Sequence, residues 1–149
     1  MEQQIEFLNR PTYVMNILYT DQGIYLSKRI QPNKEMYKMW QVPGGKVEKE
    51  ETSKQATLRE TLEETGIMLN GEDLKYLFND PEYNCDVYAT KLLPDQVPQQ
   101  TEPTKQGPWN IFALKEYQKL AQNERTTPTH TKYINEIIKD LTEEEVVFV

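Results

Sequence analysis

The stretch that decides the fold is residues 45–67, which read GKVEKEETSKQATLRETLEETGI. A helix is predicted to begin after Thr52, because Thr52 and Gln55 have the residue types and the spacing of a capping box. Gly66 is the residue type that most readily ends a helix in the left-handed conformation. The two signals predict one helix between Thr52 and Gly66.

Three glutamates share one face of this predicted helix. Glu60, Glu63 and Glu64 stand at i, i+3 and i+4, which places their carboxylates within an arc of about 100°. Such like-charged neighbours destabilise a helix unless something neutralises them. Arg59, four residues before Glu63, is one neutralising group, and a hard cation such as Mg²⁺ or Mn²⁺ is another. The opposite side of the helix, predicted to be buried, carries Leu58, Leu62 and Thr65.

The spacing of the whole stretch separates a metal site from an ordinary solvated acidic helix. At a usage of about 7% for each residue type, a chance match of its seven fixed positions at one start point has a probability of about 1 in 10^8. The chain resembles the Nudix hydrolase family, whose signature, the Nudix box, would span residues 45–67. The matching residues are Gly45, Glu51, Arg59, Glu60, Glu63, Glu64 and Gly66.

The flanks of the box also resemble the family. Trp40–Gly45 looks like the strand and turn that enter the box, and Ile24–Arg29 looks like the preceding strand that ends in a basic residue. Trp109, followed by the apolar stretch 111–114, resembles the closing strand. Two residues depart from the pattern: Thr61 replaces the usual aliphatic residue, and Glu50 replaces a common glycine. Neither is a ligand position, so we expect the departures to have small effects.

The resemblance implies a set of metal-site residues. Glu60, Glu64 and the Gly44 carbonyl would hold one or more Mg²⁺ ions, with Glu63 nearby. The resemblance also implies that Arg59 and Glu51 orient these carboxylates. The reaction itself needs a metal to offset phosphate charge and to lower the pKa of an attacking water. Since the chain has one histidine, a glutamate is expected to accept the water proton, either Glu60 or one outside the box.

Residues outside the box have weaker assignments. Glu102 is the candidate for a further metal ligand, with an ordinary loop acid as the alternative. Four prolines at positions 94, 98, 103 and 108 predict that its polar loop is stiff. Arg29 and Lys46 are candidates for phosphate contacts, against the alternative of solvated surface residues. The candidates for stacking on a base, each with a core role as the alternative, are Trp109, Phe78 and Tyr88.

The fold class is predicted to be α/β (α+β type), with one domain over residues 1–149 and a mixed sheet sandwiched between helices. The apolar tail at residues 146–149 is expected to dock on the core or on a partner chain. Predicted strands are Tyr13–Tyr19, Ile24–Arg29, Trp40–Val42, Met68–Phe78, Tyr83–Leu93 and Trp109–Ala113. Predicted helices outside the box are Leu114–Ala121 and Tyr133–Leu141.

Composition excludes several other functions. With 24 acidic and 17 basic residues, the chain carries a formal charge of −7, which argues against stable nucleic-acid binding. The lone Cys85 rules out an internal disulfide, and the lone His130 rules out His-paired zinc sites. The sequence shows no membrane-length apolar run and no basic-then-apolar start, so we expect no membrane span, no signal peptide and a cytoplasmic protein. No feature favours a particular oligomeric state.

Three functions remain for the chain. The leading one is a MutT-like enzyme that hydrolyses a nucleoside triphosphate, an oxidised one such as 8-oxo-dGTP included, to a monophosphate and pyrophosphate. The second is hydrolysis of dinucleoside polyphosphates, since the tyrosines would suit a second base. The third is a non-catalytic nucleotide-binding module with the same fold. Such relatives typically lose a box glutamate, whereas this chain keeps all of them.

Overall fold

The computed structural model describes residues 11–146, and its centre is a β-sheet. Among the described residues the strands are β1 (Tyr13–Thr20), β2 (Gly23–Lys28), β3 (Trp40–Gln41), β4 (Gly44–Lys46), β5 (Lys75–Asp80), β6 (Cys85–Lys91) and β7 (Asn110–Phe112). The main strand order is β3-β2-β1-β6-β5, while β4 pairs with β1 and β7 pairs with β2. Because β1 and β6 run parallel and the other pairs antiparallel, the predicted mixed sheet is confirmed.

Helices cover both faces of this sheet. The described helices are α1 (Ser53–Thr65), α2 (Leu114–Gln122) and α3 (Pro128–Val146), with a 3-10 turn at Gly71–Asp73. Alternate residues of β1 point to opposite faces, as the period of a strand requires. Val14 and Leu18 join the apolar cluster that includes Ala56 of α1, whereas Ile17 joins the cluster that includes Ile137 of α3. The predicted sandwich of sheet and helices is confirmed.

Both ends of α1 are the predicted ones. The Thr52 side chain accepts a hydrogen bond of 3.2 Å from the backbone N–H of Gln55, whose side chain accepts one of 2.9 Å from the Thr52 N–H. Gly66 ends the helix with φ of 77°, and its N–H donates to the Leu62 carbonyl at 2.9 Å. The sequence signals therefore fix the position of α1 along the chain.

The buried face of α1 differs from the prediction. Leu62 is 41% exposed, and the helix packs on the sheet through small and threonine side chains. Thr57, Thr61 and Thr65 each donate the side-chain hydroxyl to the carbonyl four residues earlier, at 2.6–2.9 Å. The polar atoms of these side chains are thereby satisfied inside the helix, and their methyl groups can be buried. A pattern based on aliphatic residues misses such a face.

Three other boundaries also need correction. Gly44 and Gly45, which the resemblance places in the turn that enters the box, lie in the strand β4 because they pair with β1. Of the predicted strand Met68–Phe78, only the end is strand, since β5 begins at Lys75 after the 3-10 turn. The last helix begins at Pro128, and Tyr133 is a non-helical kink within it.

Two expectations concern the ends of the chain and the membrane. The side chains of the apolar tail at residues 146–149 lie outside the described part, as do residues 1–10. No helix within the described residues is long and apolar enough to cross a bilayer.

We predict that Thr61→Val destabilises the protein by about 1–3 kcal/mol, because it leaves the buried side-chain amide of Asn16 without a hydrogen-bond acceptor. Asn16, which is buried, donates its amide to the Thr61 hydroxyl at 3.2 Å and accepts a bond from Thr90 at 3.2 Å. Valine keeps the shape of threonine and removes the acceptor. Denaturant unfolding measures the change.

The matched control is Thr142→Val, since the exposed Thr142 also donates to the carbonyl four residues earlier, at 2.8 Å. This control is expected to change the unfolding free energy by at most about 0.5 kcal/mol. Equal effects of the two substitutions would contradict the role of the Asn16 amide.

Candidate active site

Two adjacent glycines allow β4 to lie close to β1 on one side and to α1 on the other. A Cβ on Gly44 would stand 2.4 Å from the Val14 carbonyl oxygen, which belongs to the neighbouring strand. A Cβ on Gly45 would stand 2.6 Å from Oε1 of Glu60. The Val14 carbonyl oxygen is a backbone atom and cannot move aside as the Glu60 side chain can. A side chain is therefore tolerated less well at Gly44 than at Gly45. The glycines thus set the distance between β4 and the carboxylates of α1.

Arg59 binds the acidic residues around it through its whole guanidinium group. Its Nε and Nη2 form a bidentate pair with Glu51 at 2.7 and 2.9 Å. Its Nη1 donates to Glu60 at 2.8 Å and to Glu63 at 3.3 Å, and Nη2 also donates to the Lys46 carbonyl at 3.0 Å. The hydrogen bonds to Glu51 raise the pKa of Arg59 further above its ordinary value. The arrangement holds Glu60 and Glu51 on either side of one fixed cation.

Glu64 is the buried carboxylate of the cluster, with 9% exposure. Its Oε2 accepts a hydrogen bond of 2.8 Å from the Gly44 N–H. Burial raises its pKa to about 8; the Gly44 N–H opposes this rise, and the charges of Glu60 and Glu102 add to it. Arg29 is close enough to lower the same pKa. Glu64 is therefore a group that holds a proton in the metal-free protein.

Glu102, the predicted ligand from outside the box, lies within electrostatic reach of the box. Its charge raises the pKa of Glu60 as well as that of Glu64, although burial is the largest cause for both. The Glu102 carbonyl accepts hydrogen bonds from the N–H groups of Lys105 at 3.0 Å and Gln106 at 3.1 Å, which closes a tight turn. Its carboxylate also pairs with Lys105 at 3.3 Å. The turn presents this carboxylate on the same side of the molecule as Glu60 and Glu64.

A cavity of about 340 Å³ opens beside the two glycines. It is lined in part by Gly44 and Gly45, and Arg29 lies in its wall. Arg29 donates through Nη1 to the Gln41 side chain at 2.9 Å and through Nε to the Glu35 carbonyl at 3.2 Å. Neither of these two hydrogen bonds uses the Nη2 group of Arg29. Arg29 thus borders the cavity and is also close enough to Glu64 to affect its charge.

The family model for the NUDIX domain matches residues 9–136 of the sequence. The chain belongs to the NUDIX domain family. Together with the similar MutT folds, this membership identifies an enzyme, a pyrophosphohydrolase.

Solved structures support the same fold. A MutT NUDIX hydrolase from Burkholderia pseudomallei has 26% identity and a TM-score of 0.59, with 72% of this chain and 85% of that chain covered. An Ap4A hydrolase from C. elegans has 24% identity and a TM-score of 0.56, with 74% and 86% covered. A bifunctional NMN adenylyltransferase/ADP ribose pyrophosphatase from Francisella tularensis, complexed with AMP and Mn ion, has 22% identity and a TM-score of 0.64. This chain spans 45% of that protein, and 96% of this chain is covered. No curated protein matches the sequence significantly.

A divalent metal, which Nudix hydrolases generally use, fits part of this site. Within residues 11–146, no three His, Cys, Asp or Glu side chains already surround one point as a complete metal cage. However, Glu60 uses only Oε1 in its bond to Arg59, and Glu64 uses only Oε2 in its bond to Gly44. Mg²⁺ usually keeps several waters and binds one or two carboxylates together with substrate phosphates. Oε2 of Glu60 and Oε1 of Glu64 therefore suit a metal that is also bound by waters and substrate phosphates. Two oxygens are too few for a metal bound by protein groups alone.

Several predicted substrate residues have other surroundings than expected. Trp109 is 8% exposed, and its indole N–H donates to the Glu64 carbonyl at 3.0 Å. The burial of Trp109 agrees with the core role given as its alternative, and its contact with substrate stays a prediction. Tyr88 is buried, and Phe78 packs on Tyr133 with ring centroids 4.6 Å apart, so neither ring faces the cavity. Lys46 is exposed outside the cavity lining, and its proposed phosphate contact stays a prediction.

Of the residues that line the cavity, the sequence indicated Arg29 and Gly44 but not the aromatic ones. Tyr13 and Tyr83 are partly exposed aromatic residues in its wall, and Met36 and Gln41 also contribute. Tyr13 begins a predicted strand, but residue types do not show that this strand pairs with the box glycines. Tyr83, predicted to begin a strand, lies in a loop, because that strand begins at Cys85.

We predict that Arg59→Ala lowers the free energy of unfolding by about 2–3 kcal/mol, between the values for exposed and buried ion pairs. Arg59 and Glu51 have side-chain exposures of 22% and 13%, so the substitution removes the guanidinium group from a partly buried Glu51 carboxylate. Turnover should also fall, because Glu60 loses its fixed neighbour. Chemical denaturation and steady-state assays measure the two effects.

Arg125→Ala is the control for this substitution, because Arg125 is exposed. It is expected to change the unfolding free energy by at most about 0.5 kcal/mol. A loss from Arg59→Ala as small as this, with normal turnover, would show that Arg59 is merely solvated.

A second prediction concerns pH. In the metal-free protein Glu64 keeps its proton up to about pH 8, whereas in the unfolded chain it ionises near pH 4.5. The folded state therefore binds more protons between these values, and Glu64 makes the protein less stable as pH rises through this window. Melting in EDTA from pH 5 to 8 should show a smaller decline for Glu64→Gln than for the wild type. Identical declines would contradict the buried, protonated Glu64.

Proposed function

We propose that this enzyme hydrolyses a nucleoside triphosphate to a nucleoside monophosphate and pyrophosphate with Mg²⁺, or Mn²⁺, as cofactor. The observation that carries the proposal is the position of Gly44 and Gly45, which line the 340 Å³ cavity and also lie against Glu64 and Glu60. Arg29 lines the same cavity. A nucleoside in the cavity would direct its phosphate chain towards Glu60 and Glu64. A volume near the lower end for ligand sites suits one nucleoside better than two.

The proposed roles of the residues follow from their charges and positions. Arg29 would hold phosphate oxygens, because its bonds to Glu35 and Gln41 use Nε and Nη1 and not Nη2. Glu60 and Glu64 would hold the metal through the oxygens that Arg59 and Gly44 do not occupy. The Gly44 carbonyl, Glu63 and Glu102 would be further ligands. When bound, the metal offsets charge on the phosphate oxygens and lowers the pKa of a water. Arg59 and Glu51 keep the orientation of Glu60.

The remaining step is proton transfer from the attacking water. Water adds to phosphorus, the bridging P–O bond breaks, and one proton has to leave the water. Glu60 and Glu102 are the candidates for the acceptor. We favour Glu102, because Arg59 already donates to Glu60 and because Glu102 lies in a turn outside the box. Its pairing with Lys105 involves an exposed lysine that can move away.

A second candidate substrate is a dinucleoside polyphosphate. Tyr13 and Tyr83 give the cavity two partly exposed aromatic side chains, which could stack on bases. A structurally similar protein is an Ap4A hydrolase, at 24% identity. Product analysis separates the two substrates.

The test is a panel of nucleoside triphosphates, 8-oxo-dGTP included, and dinucleoside polyphosphates, assayed with Mg²⁺ in water enriched in ¹⁸O. We expect triphosphates to give monophosphate and pyrophosphate, with the label in one of the two products. Preference for dinucleoside polyphosphates would favour the second candidate. Absence of hydrolysis across the panel would contradict both.

Glu64→Gln should lower kcat by about 10²-fold or more, because it removes a metal ligand and leaves the shape of the side chain unchanged. Glu72→Gln, at an exposed position of the 3-10 turn, is the control and should retain normal turnover. Near-normal turnover of Glu64→Gln at saturating Mg²⁺ would contradict the metal-site assignment.

A further inference from the structure

The last carbonyls of α1 receive their hydrogen bonds from one distant segment of the chain. We call residues 99–109 the helix-end strap. The Gln99 N–H donates to the Thr65 carbonyl at 2.9 Å, and the Thr101 hydroxyl donates to the Glu63 carbonyl at 2.5 Å. The Trp109 indole donates to the Glu64 carbonyl at 3.0 Å. Since the end of a helix leaves its carbonyls without partners in the helix, the strap completes the end of α1.

Gln106 joins this helix end to the turn that carries Glu102. Its backbone N–H donates to the Glu102 carbonyl at 3.1 Å, and its side-chain Nε2 reaches the Glu64 carbonyl at 3.4 Å. Its Oε1 accepts from the Gln41 side chain at 3.3 Å, and Gln41 in turn accepts from Arg29. Gln106 is 1% exposed, so its amide would be costly to bury without these partners. One residue therefore contacts the Glu102 turn, the backbone of Glu64 and the cavity wall.

Simple burial of a loop does not account for this arrangement. Thr101, which precedes Glu102, is exposed, yet its hydroxyl is bonded to the backbone of Glu63. Gln106, which closes the Glu102 turn, is buried and bonded to the backbone of Glu64. The two residues hold the turn from both sides, each on a carbonyl of a box glutamate. Such partners of metal ligands typically change metal affinity or activity by about 10–100-fold when removed.

We propose that Gln106 and Thr101 are positioning residues, which fix the Glu102 carboxylate relative to Glu64 and Glu60. The inference rests on the proposed function, in which Glu102 acts at the metal site as a further ligand and as the proton acceptor. The strap joins Glu102 to the box, although Glu102 lies 38 positions after Glu64 along the chain. Loss of the hydrogen bonds from Thr101 or Gln106 to α1 should therefore lower turnover by displacing the Glu102 carboxylate.

The experiment uses Gln106→Met, alone and combined with Glu102→Gln. Methionine has nearly the size of glutamine and cannot make either side-chain hydrogen bond. The measurements are kcat, KM and the affinity for Mn²⁺ alone, obtained from the EPR signal of free Mn²⁺. We expect Gln106→Met to lower kcat and Mn²⁺ affinity by about tenfold or more, with KM changed less. In the Glu102→Gln background, the same substitution should lower kcat and Mn²⁺ affinity by less than about twofold.

The matched control is Gln99→Met, in the same strap, because the exposed Gln99 contributes only its backbone N–H to the helix end. It should leave kcat and Mn²⁺ affinity unchanged. If Gln106→Met fails to fold, Thr101→Val at an exposed position replaces it, and is measured alone and combined with Glu102→Gln in the same way. Thr101→Ser, which keeps the hydroxyl, should restore wild-type values.

Two results would overturn the inference while Glu102 keeps its role. In the first, Glu102→Gln is impaired and the strap variants have normal kcat and Mn²⁺ affinity. In the second, the strap variants lose as much in the Glu102→Gln background as in the wild type, which indicates a purely structural effect. Normal kcat and Mn²⁺ affinity of Glu102→Gln itself would instead refute the proposed role of Glu102, and the inference with it.

Discussion

The close contact between β4 and α1 is the constraint on which the site depends. Gly44 has no room for a side chain against the Val14 carbonyl, and its N–H is bonded to the buried Glu64 carboxylate. The same packing brings Gly45 against Glu60. A side chain at Gly44 would collide with β1, and one at Gly45 would collide with the Glu60 carboxylate, so either substitution would displace β4 from its position between the two. The sheet, the helix ends and the strap all maintain this one contact.

The second constraint is electrostatic. Several carboxylates lie together in a partly buried place, and this would destabilise the protein if all of them were charged and unpaired. Without a metal, the protein relieves the repulsion in two ways: Arg59 pairs with Glu51 and Glu60, and burial keeps a proton on Glu64. A cation that arrives with substrate phosphates can take the place of that proton. Under the proposed function, the site would therefore be stable without its metal and able to bind it.

The sequence predicted the parts of the molecule that depend on local chemistry. The ends of α1 follow from the types of Thr52, Gln55 and Gly66, and the spacing of the box glutamates places them on one helix. The burial of α1 could not be predicted in the same way, because Thr57 and Thr61 satisfy their hydroxyls inside the helix and pack like apolar residues.

Long-range contacts account for what the sequence could not reveal. The Trp109 indole N–H donates to the Glu64 carbonyl, and a contact with a backbone atom cannot be recognised from residue types. The same is true of the contacts of Gln106 and Thr101 with the end of α1. The cavity wall combines β1 with loop residues such as Met36 and Tyr83, which come together only in the folded chain. Family resemblance identifies the box, whereas these contacts determine how the box is held.

The most direct measurement of the central claim is a crystal structure of the enzyme with Mn²⁺ and a non-hydrolysable nucleoside triphosphate, with anomalous data collected at the manganese edge. The account predicts an anomalous peak in contact with the carboxylates of Glu60 and Glu64, with the phosphates between this peak and Arg29. A peak that contacts neither carboxylate, or phosphates bound away from Arg29, would contradict it.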